Sequence, residues 1–248
     1  MQKQVKRRFK NNLFEQFARI GRALGNAHRI ELLDVLAQGE RPVEQLAAET
    51  DLTIANASQH LQVLRHAELV VSRREGTRVL YSLAGPEVFA MWQALRTAGE
   101  ARLAEIERVI ATYLADRAQM EEIGPEELRR RLEDGEVTLI DVRPAIESDK
   151  GRIAGALPIP VDELPARVAE IPTGRPIVAY CRGPYCVYAD EAVAILRGQG
   201  RRAMRLTVGY PDWKAAGLPT EEASAVTVDG VAMHVGGRLG RRAGSVRG

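Results

Sequence analysis

The sequence predicts two domains: a mainly α domain built on a helix-turn-helix unit and a β-hairpin, then an α/β domain with a parallel sheet. Three observations carry this. Apolar residues recur at helical spacing up to about Ala118, short apolar strand runs alternate with helical ones over 124–222, and a polar link at 116–122 separates the two textures. The domains are placed at 1–118 and 125–222, with a linker at 119–124. A Gly/Arg-rich tail at 223–248 carries one acid, Asp229, among its arginines and is expected to be disordered.

With 248 residues, 45% hydrophobic and 27% charged, the chain can bury real cores, which excludes a mainly disordered protein. Apolar runs such as 177–180 and 192–196 fall far short of the roughly 18 residues a membrane span needs. The basic start, Lys3, Lys6, Arg7, Arg8 and Lys10, is followed by no apolar core with a cleavage site. The cytoplasm is therefore expected, with no membrane partner. A net charge of +2 means that any nucleic acid must be engaged by a local basic surface.

In the first domain, Leu13, Phe17, Ile20 and Leu24 recur at helical spacing, as do Ile30, Leu33 and Leu36, with Gly25 and Gly39 as breakers. A third helix is expected over 43–50. Thr53 can cap a fourth that runs to about Ala67. In that helix Ile54, Ala57, Leu61 and Leu64 form an apolar stripe, leaving Asn56, Gln59 and Gln62 opposite, flanked by Ser58 and His60. Such side chains suit base edges in a major groove; an ordinary solvated face fits the same pattern. Residues 69–74 and 77–83 then read as two strands joined at Glu75-Gly76. Their Arg73, Arg74 and Arg78 are placed either to meet phosphates or simply to be solvated.

Residues 53–71, TIANASQHLQVLRHAELVV, resemble the recognition helix and wing of ArsR-type winged helix-turn-helix repressors, chiefly through the S-Q-H-L-x-x-L-R run. The resemblance covers about 14–114. It implies a homodimer that binds double-stranded DNA and releases it when an effector binds. The segment 87–115 fits a dimerisation helix, with Val88, Trp92, Leu95, Leu103, Ile106 and Ile110 along one stripe; burial within one chain is the other reading. Many such repressors sense metals through thiolates and imidazoles. Here 30–37 has no cysteine, 87–115 has neither cysteine nor histidine, and His28, His60, His66 and His234 lie scattered. No metal and no cofactor are expected.

In the second domain, 125–132 reads as helix, 137–142 as strand, 176–180 as strand and 188–197 as helix. Cys181 directly follows an apolar strand, so it opens a strand-to-helix loop at the carboxyl end of the sheet. Loop amides and the positive end of the next helix favour a thiolate there, while a small buried residue is the alternative. The only other cysteine, Cys186, lies five residues on. That spacing suits a local thiol site in a reduced compartment better than a disulfide framework.

TLIDVR at 138–143, GRIAGALPIP at 151–160, VAYCRGPYC at 178–186 and GYPDW at 209–213 together resemble a rhodanese (thiosulfate sulfurtransferase) domain covering about 125–222. The resemblance implies that Cys181 attacks a sulfane-sulfur donor and carries the sulfur as a persulfide, and that Asp141 and Arg143 brace the loop. Three positions depart from the family pattern: Arg152 stands where histidine is common, Glu147-Ser148 where an acidic-aromatic pair is frequent, and Cys186 ends the loop Arg182, Gly183, Pro184, Tyr185. Cys186 either resolves the persulfide into a bridge of two or more sulfurs or packs as a small helix residue. No arginine closes the loop as in oxyanion-binding relatives of the fold, which disfavours phosphatase and arsenate reductase chemistry. Arg182 is expected to draw a thiosulfate or sulfinate anion to the loop mouth.

The two halves together predict a DNA-binding repressor whose rhodanese domain senses or processes reactive sulfur. A sulfurtransferase that uses the winged helix for dimerisation or regulation is the alternative, and an idle rhodanese fold serving as a binding module the third.

Overall fold

The computed structural model describes residues 2–114, 117 and 119–222. The tail at 223–248 and part of the linker, on which two expectations fell, lie outside the described residues.

The first domain begins with α1 (Gln2–Leu24) and α2 (Ala27–Ala37), the latter started by Asn26, whose side chain accepts the Arg29 N–H at 3.2 Å. A two-residue strand β1 (Arg41–Pro42), not foreseen from the sequence, leads into α3 (Val43–Glu49). Thr53 Oγ1 then accepts the Asn56 N–H at 3.2 Å and opens α4 (Ile54–His66). The hairpin is β2 (Val70–Glu75) and β3 (Arg78–Leu83), turned at Gly76 with φ +59°. β1 pairs with β3, giving the sheet order β1-β3-β2. Leu32, Leu36, Leu46, Leu61, Leu64, Val70 and Tyr81 form the core. Of the stripe expected on α4, Ala57, Leu61 and Leu64 are buried, whereas Ile54 is 54% exposed, because it sits at the helix start beyond the core's edge.

The expected single helix over 87–115 is two helices. α5 (Pro86–Arg102) ends at Leu103, whose backbone is extended (φ −110°, ψ 98°), and α6 (Ala104–Tyr113) turns back along it. The reason lies in packing: Gly99 has no side chain, and Ile106 Cδ1 stands 3.0 Å from where its Cβ would be.

In the second domain, β4 (Glu122–Ile123), α7 (Pro125–Glu133), β5 (Thr138–Asp141), α8 (Ala145–Ser148), β6 (Arg152–Ile153), β7 (Leu157–Pro158), α9 (Leu164–Arg167), β8 (Ile177–Tyr180), α10 (Tyr188–Gly198), β9 (Ala203–Leu206), α11 (Tyr210–Ala215) and β10 (Thr220–Glu221) follow in order. Five strands form one parallel sheet, β4-β9-β8-β5-β7, and β10 pairs antiparallel with β6. The pleat sends alternate residues to opposite faces. Ile140, Ile177, Ala179 and Ala203 pack under α9 and α10 with Leu164, Val193 and Leu196, while Leu139, Val178 and Met204 meet Leu128 and Trp213 on the other face. Burial on both faces explains the near-continuous apolar strands. No helix among the described residues is long and apolar enough to cross a membrane.

Candidate functional site

Cys181 leaves the end of β8 only 2% exposed. Residues 182–187 loop over it, and the Cys186 N–H donates to the Gly183 carbonyl at 3.2 Å, folding the loop back on itself. This brings the two Cα atoms to 6.2 Å and the cysteines into a disulfide. Although the spacing reads as a local thiol site rather than a disulfide framework, the two cysteines are bridged here, because a tight turn converts close spacing into contact. The loop is also gripped from below: Tyr210 N–H donates to the Cys181 carbonyl at 3.1 Å, and a Cβ on Gly209 would lie 2.1 Å from the Arg182 oxygen. Only glycine permits that approach.

Asp141 and Arg143, both wholly buried, pair at the root of the loop, with Nη2 to Oδ2 at 2.6 Å and Nε to Oδ1 at 3.0 Å. Tyr180 donates its hydroxyl to Asp141 at 2.6 Å; burial and that carboxylate push the phenol well above its ordinary pKa, so it stays a donor. Arg143 also donates to the Gly151 carbonyl at 2.7 Å and lies over the Tyr210 ring at 4.2 Å. Its remaining nitrogen, Nη1, reaches across the domain boundary to Gln38 Oε1 at 3.3 Å.

Gln38 caps the C-terminal end of α2, is 2% exposed, and donates through Nε2 to the Arg182 carbonyl at 3.0 Å. The Arg182 side chain turns inward rather than toward the mouth. It meets Glu147 at 2.5 Å and Glu49, the last residue of α3, at 2.7 Å, while Glu147 also meets Arg41 at 2.9 Å. The expectation that Arg182 is free to attract anions is overturned. Glu147 is a fully buried carboxylate, and such a charge holds nearby guanidinium groups tightly. Burial opposes the charge on Arg182, yet hydrogen bonds and attraction from Glu147 and Glu49 hold its pKa above the ordinary arginine range. On the far side, Arg117 donates to the carbonyls of Pro184 and Cys186 and pairs with Asp190; Arg205 donates to the Pro184 carbonyl at 3.2 Å. Gln38, Glu49, Arg117 and Arg205 carried no sequence signal, since each is an ordinary polar residue whose partner is remote in the chain.

A cavity of about 270 Å³ opens between the domains beside this loop, bordered by residues 182–188 on one side and by Glu31, Asp34, Glu49 and Arg96 on the other. Arg96 and Gln93 from α5 both donate to Asp212 of α11, at 2.5 and 2.8 Å. Asp34 accepts from Trp92 Nε1 at 2.9 Å, and burial raises its carboxyl pKa above the usual range despite that bond.

Elsewhere in the first domain, Asn56 and Gln59 project exposed from α4, with Ser58, His60 and Gln62 half-buried beside them. Partial burial, with help from Arg29 and His28, lowers the His60 pKa from its ordinary value. Arg74 and Arg78 are exposed on the hairpin, but Arg73 is clasped by Glu40 at 2.5 to 3.0 Å and Glu75 at 2.9 Å. Val5, Phe9, Phe14 and Phe17 leave an apolar face exposed on α1, and an apolar groove of about 620 Å³ runs along α5 and α6 past Trp92, Leu95, Leu103 and Ile110.

A rhodanese-like domain model matches residues 124–216, and a helix-turn-helix domain model matches 24–73. The chain is 45% identical to a helix-turn-helix transcriptional regulator of Mycobacterium tuberculosis over 214 residues, 86% of this chain and 94% of that protein. It is also 39% identical over 99 residues to a sulfurtransferase of Allochromatium vinosum, covering 40% of this chain and 92% of that one. Among solved structures, a homodimeric winged helix-turn-helix DNA-binding domain from Mycobacterium bovis shares 42% identity, covering 38% of this chain and 87% of that one, with a TM-score of 0.37.

Proposed function

Because the chain belongs to the ArsR-type winged helix-turn-helix transcriptional regulators that carry a C-terminal rhodanese-like domain, we propose that it is a homodimeric repressor that senses reactive sulfur through Cys181. The observation that carries this reading is the grip of the DNA-binding half on the loop between the two cysteines. Gln38 holds the Arg182 carbonyl and Glu49 holds its guanidinium. Glu49 ends α3, and the next helix, α4, starts five residues later. A change in the loop therefore reaches the helix that bears Asn56, Ser58, Gln59, His60 and Gln62, the side chains assigned to base edges. Arg74 and Arg78 are assigned to phosphates, with Arg73 held back by Glu40. The exposed apolar faces of α1 and of α5–α6 support self-association, since a lone domain gains nothing by leaving them in water.

The sulfur chemistry runs in two balanced steps from the reduced loop. Cys181 thiolate attacks the outer sulfur of an organic hydropersulfide, the donor's S–S bond breaks, and its thiolate leaves with the electron pair. Cys186 thiolate then attacks the Cys181 sulfur of the persulfide and expels hydrosulfide, leaving the bridge. The sequence ends in a Cys181–Cys186 bridge, the same pairing that the structure holds. Asp141 and Arg143 position the loop without touching the donor.

A useful sensor needs a difference of about 1 to 3 kcal/mol in DNA affinity between the two states. Fluorescence anisotropy at fixed salt, on a duplex the protein selects from a random pool, is expected to show about a tenfold change on hydropersulfide treatment of wild type and none in Cys181→Ser. Cys186→Ser separates the persulfide from the bridge. The similarity to a sulfurtransferase favours a second reading, an enzyme first. Unchanged affinity with Cys181 shown loaded by mass spectrometry, together with steady turnover of thiosulfate and cyanide, selects that reading instead.

A further inference from the structure

The mouth of the cysteine loop has an electrostatic character opposite to what its sequence suggests. Arg182 is the only cationic residue of the loop and both of its faces are taken, by Glu147 at 2.5 Å and Glu49 at 2.7 Å. Arg96, the other cation lining the interdomain cavity, is consumed by Asp212 at 2.5 Å, with both side chains largely buried. Of the three acids lining the same cavity, Glu49 is paired with Arg182, but Glu31 and Asp34 have no basic side chain of arginine or lysine in salt-bridge contact among the described residues. Asp34 accepts a hydrogen bond from the neutral Trp92 indole, and the nearest basic group to Glu31 is His28, at 3.9 Å. Cys186 borders this cavity, while Cys181 lies just behind it. A dianion coming to the dithiol from this side meets carboxylates and, among the described residues lining the cavity, no unpaired cation, whereas an uncharged donor meets no such barrier.

We propose that the Cys181 loop selects uncharged sulfane-sulfur donors, organic trisulfides and the protonated form of hydropersulfides, and discriminates against thiosulfate and other anionic donors. This rests on sulfur uptake at Cys181 and names the donor class for it. With a trisulfide, Cys181 thiolate attacks the central sulfur, one S–S bond breaks, and an alkyl thiolate leaves. Cys186 thiolate then attacks the Cys181 sulfur, expels the remaining alkyl persulfide anion and closes the bridge.

Charge can be varied at constant reactivity with methanethiosulfonate reagents, from which a thiolate takes the sulfenyl sulfur and releases methanesulfinate. In the reduced full-length Cys186→Ser protein, Cys181 is the single thiol. The ethyltrimethylammonium reagent is expected to modify it about tenfold faster than the ethylsulfonate reagent, each rate normalised to 2-mercaptoethanol, with the ratio collapsing at high salt. Glu31→Gln, at a half-exposed side chain, is expected to narrow the ratio; in reduced wild type, mass spectrometry is expected to show faster loading by a trisulfide than by equimolar thiosulfate. Equal normalised rates, or a faster anionic reagent, overturn the proposal and leave sulfur uptake standing. A protein in which neither the trisulfide nor a hydropersulfide loads Cys181 overturns the uptake reading and donor selection with it.

Discussion

At the scale of single residues, the boundary between the domains is built from buried polar groups whose partners lie on the other side. Arg143 is satisfied jointly by Asp141, Gly151 and Gln38, and a buried guanidinium that loses such partners is strongly destabilising. Asp34 is less well served: burial raises its carboxyl pKa above the unfolded value of 3.8, so the folded state holds its proton more tightly than the unfolded chain. For an acid shifted upward, the stability it contributes is full below the unfolded pKa and is lost as pH rises through the folded one. Asp34→Asn, which keeps an oxygen for Trp92, is accordingly expected to raise the unfolding temperature at pH 7. That gain should shrink as the pH is lowered toward 4, as read by thermal melts across pH.

At the scale of elements, the short pieces follow from local chemistry. Asn26 and Thr53 cap α2 and α4, Gly76 turns the hairpin, and Gly209 lets α11 begin against the cysteine loop. Thr53→Ala removes the bond to the Asn56 N–H and should cost about 1 kcal/mol, seen as a lower urea midpoint. Because the loss falls at the start of the helix assigned to the major groove, DNA affinity is expected to fall in parallel while loading of Cys181 is unchanged. The break at Leu103 had no such local mark. Leu103 is a good helix former, and the interruption comes from Ile106 folding onto Gly99, a contact that exists only once α6 has turned back.

At the scale of the whole molecule, the cysteine loop is shared property: its carbonyls at 182, 184 and 186 are held by Gln38, Arg205 and Arg117. Gln38→Leu leaves the Arg182 carbonyl and Arg143 Nη1 without their partner from α2. In that variant mass spectrometry is expected to show normal loading of Cys181, with the DNA affinity of the reduced protein within about twofold of wild type and its response to hydropersulfide at least about fivefold smaller. An undiminished response would show that the loop state travels by another route.

The sequence by itself determined the two-domain order, the helix-turn-helix with its hairpin, the parallel sheet and the position of Cys181 at a strand end. Each of these is written in a period of 2 or 3.6 residues, a cap, a turn or a short motif, and therefore in neighbours a few positions apart. Only the tertiary structure decided that the helix over 87–115 is broken, that Cys186 bridges to Cys181, and that Arg182 faces inward. It also decided that Gln38 and Glu49 touch the cysteine loop. These outcomes depend on groups separated by up to 144 positions, as in Gln38 and the Arg182 carbonyl, and a buried charge chooses among such partners only when folding has removed the water that would otherwise solvate it.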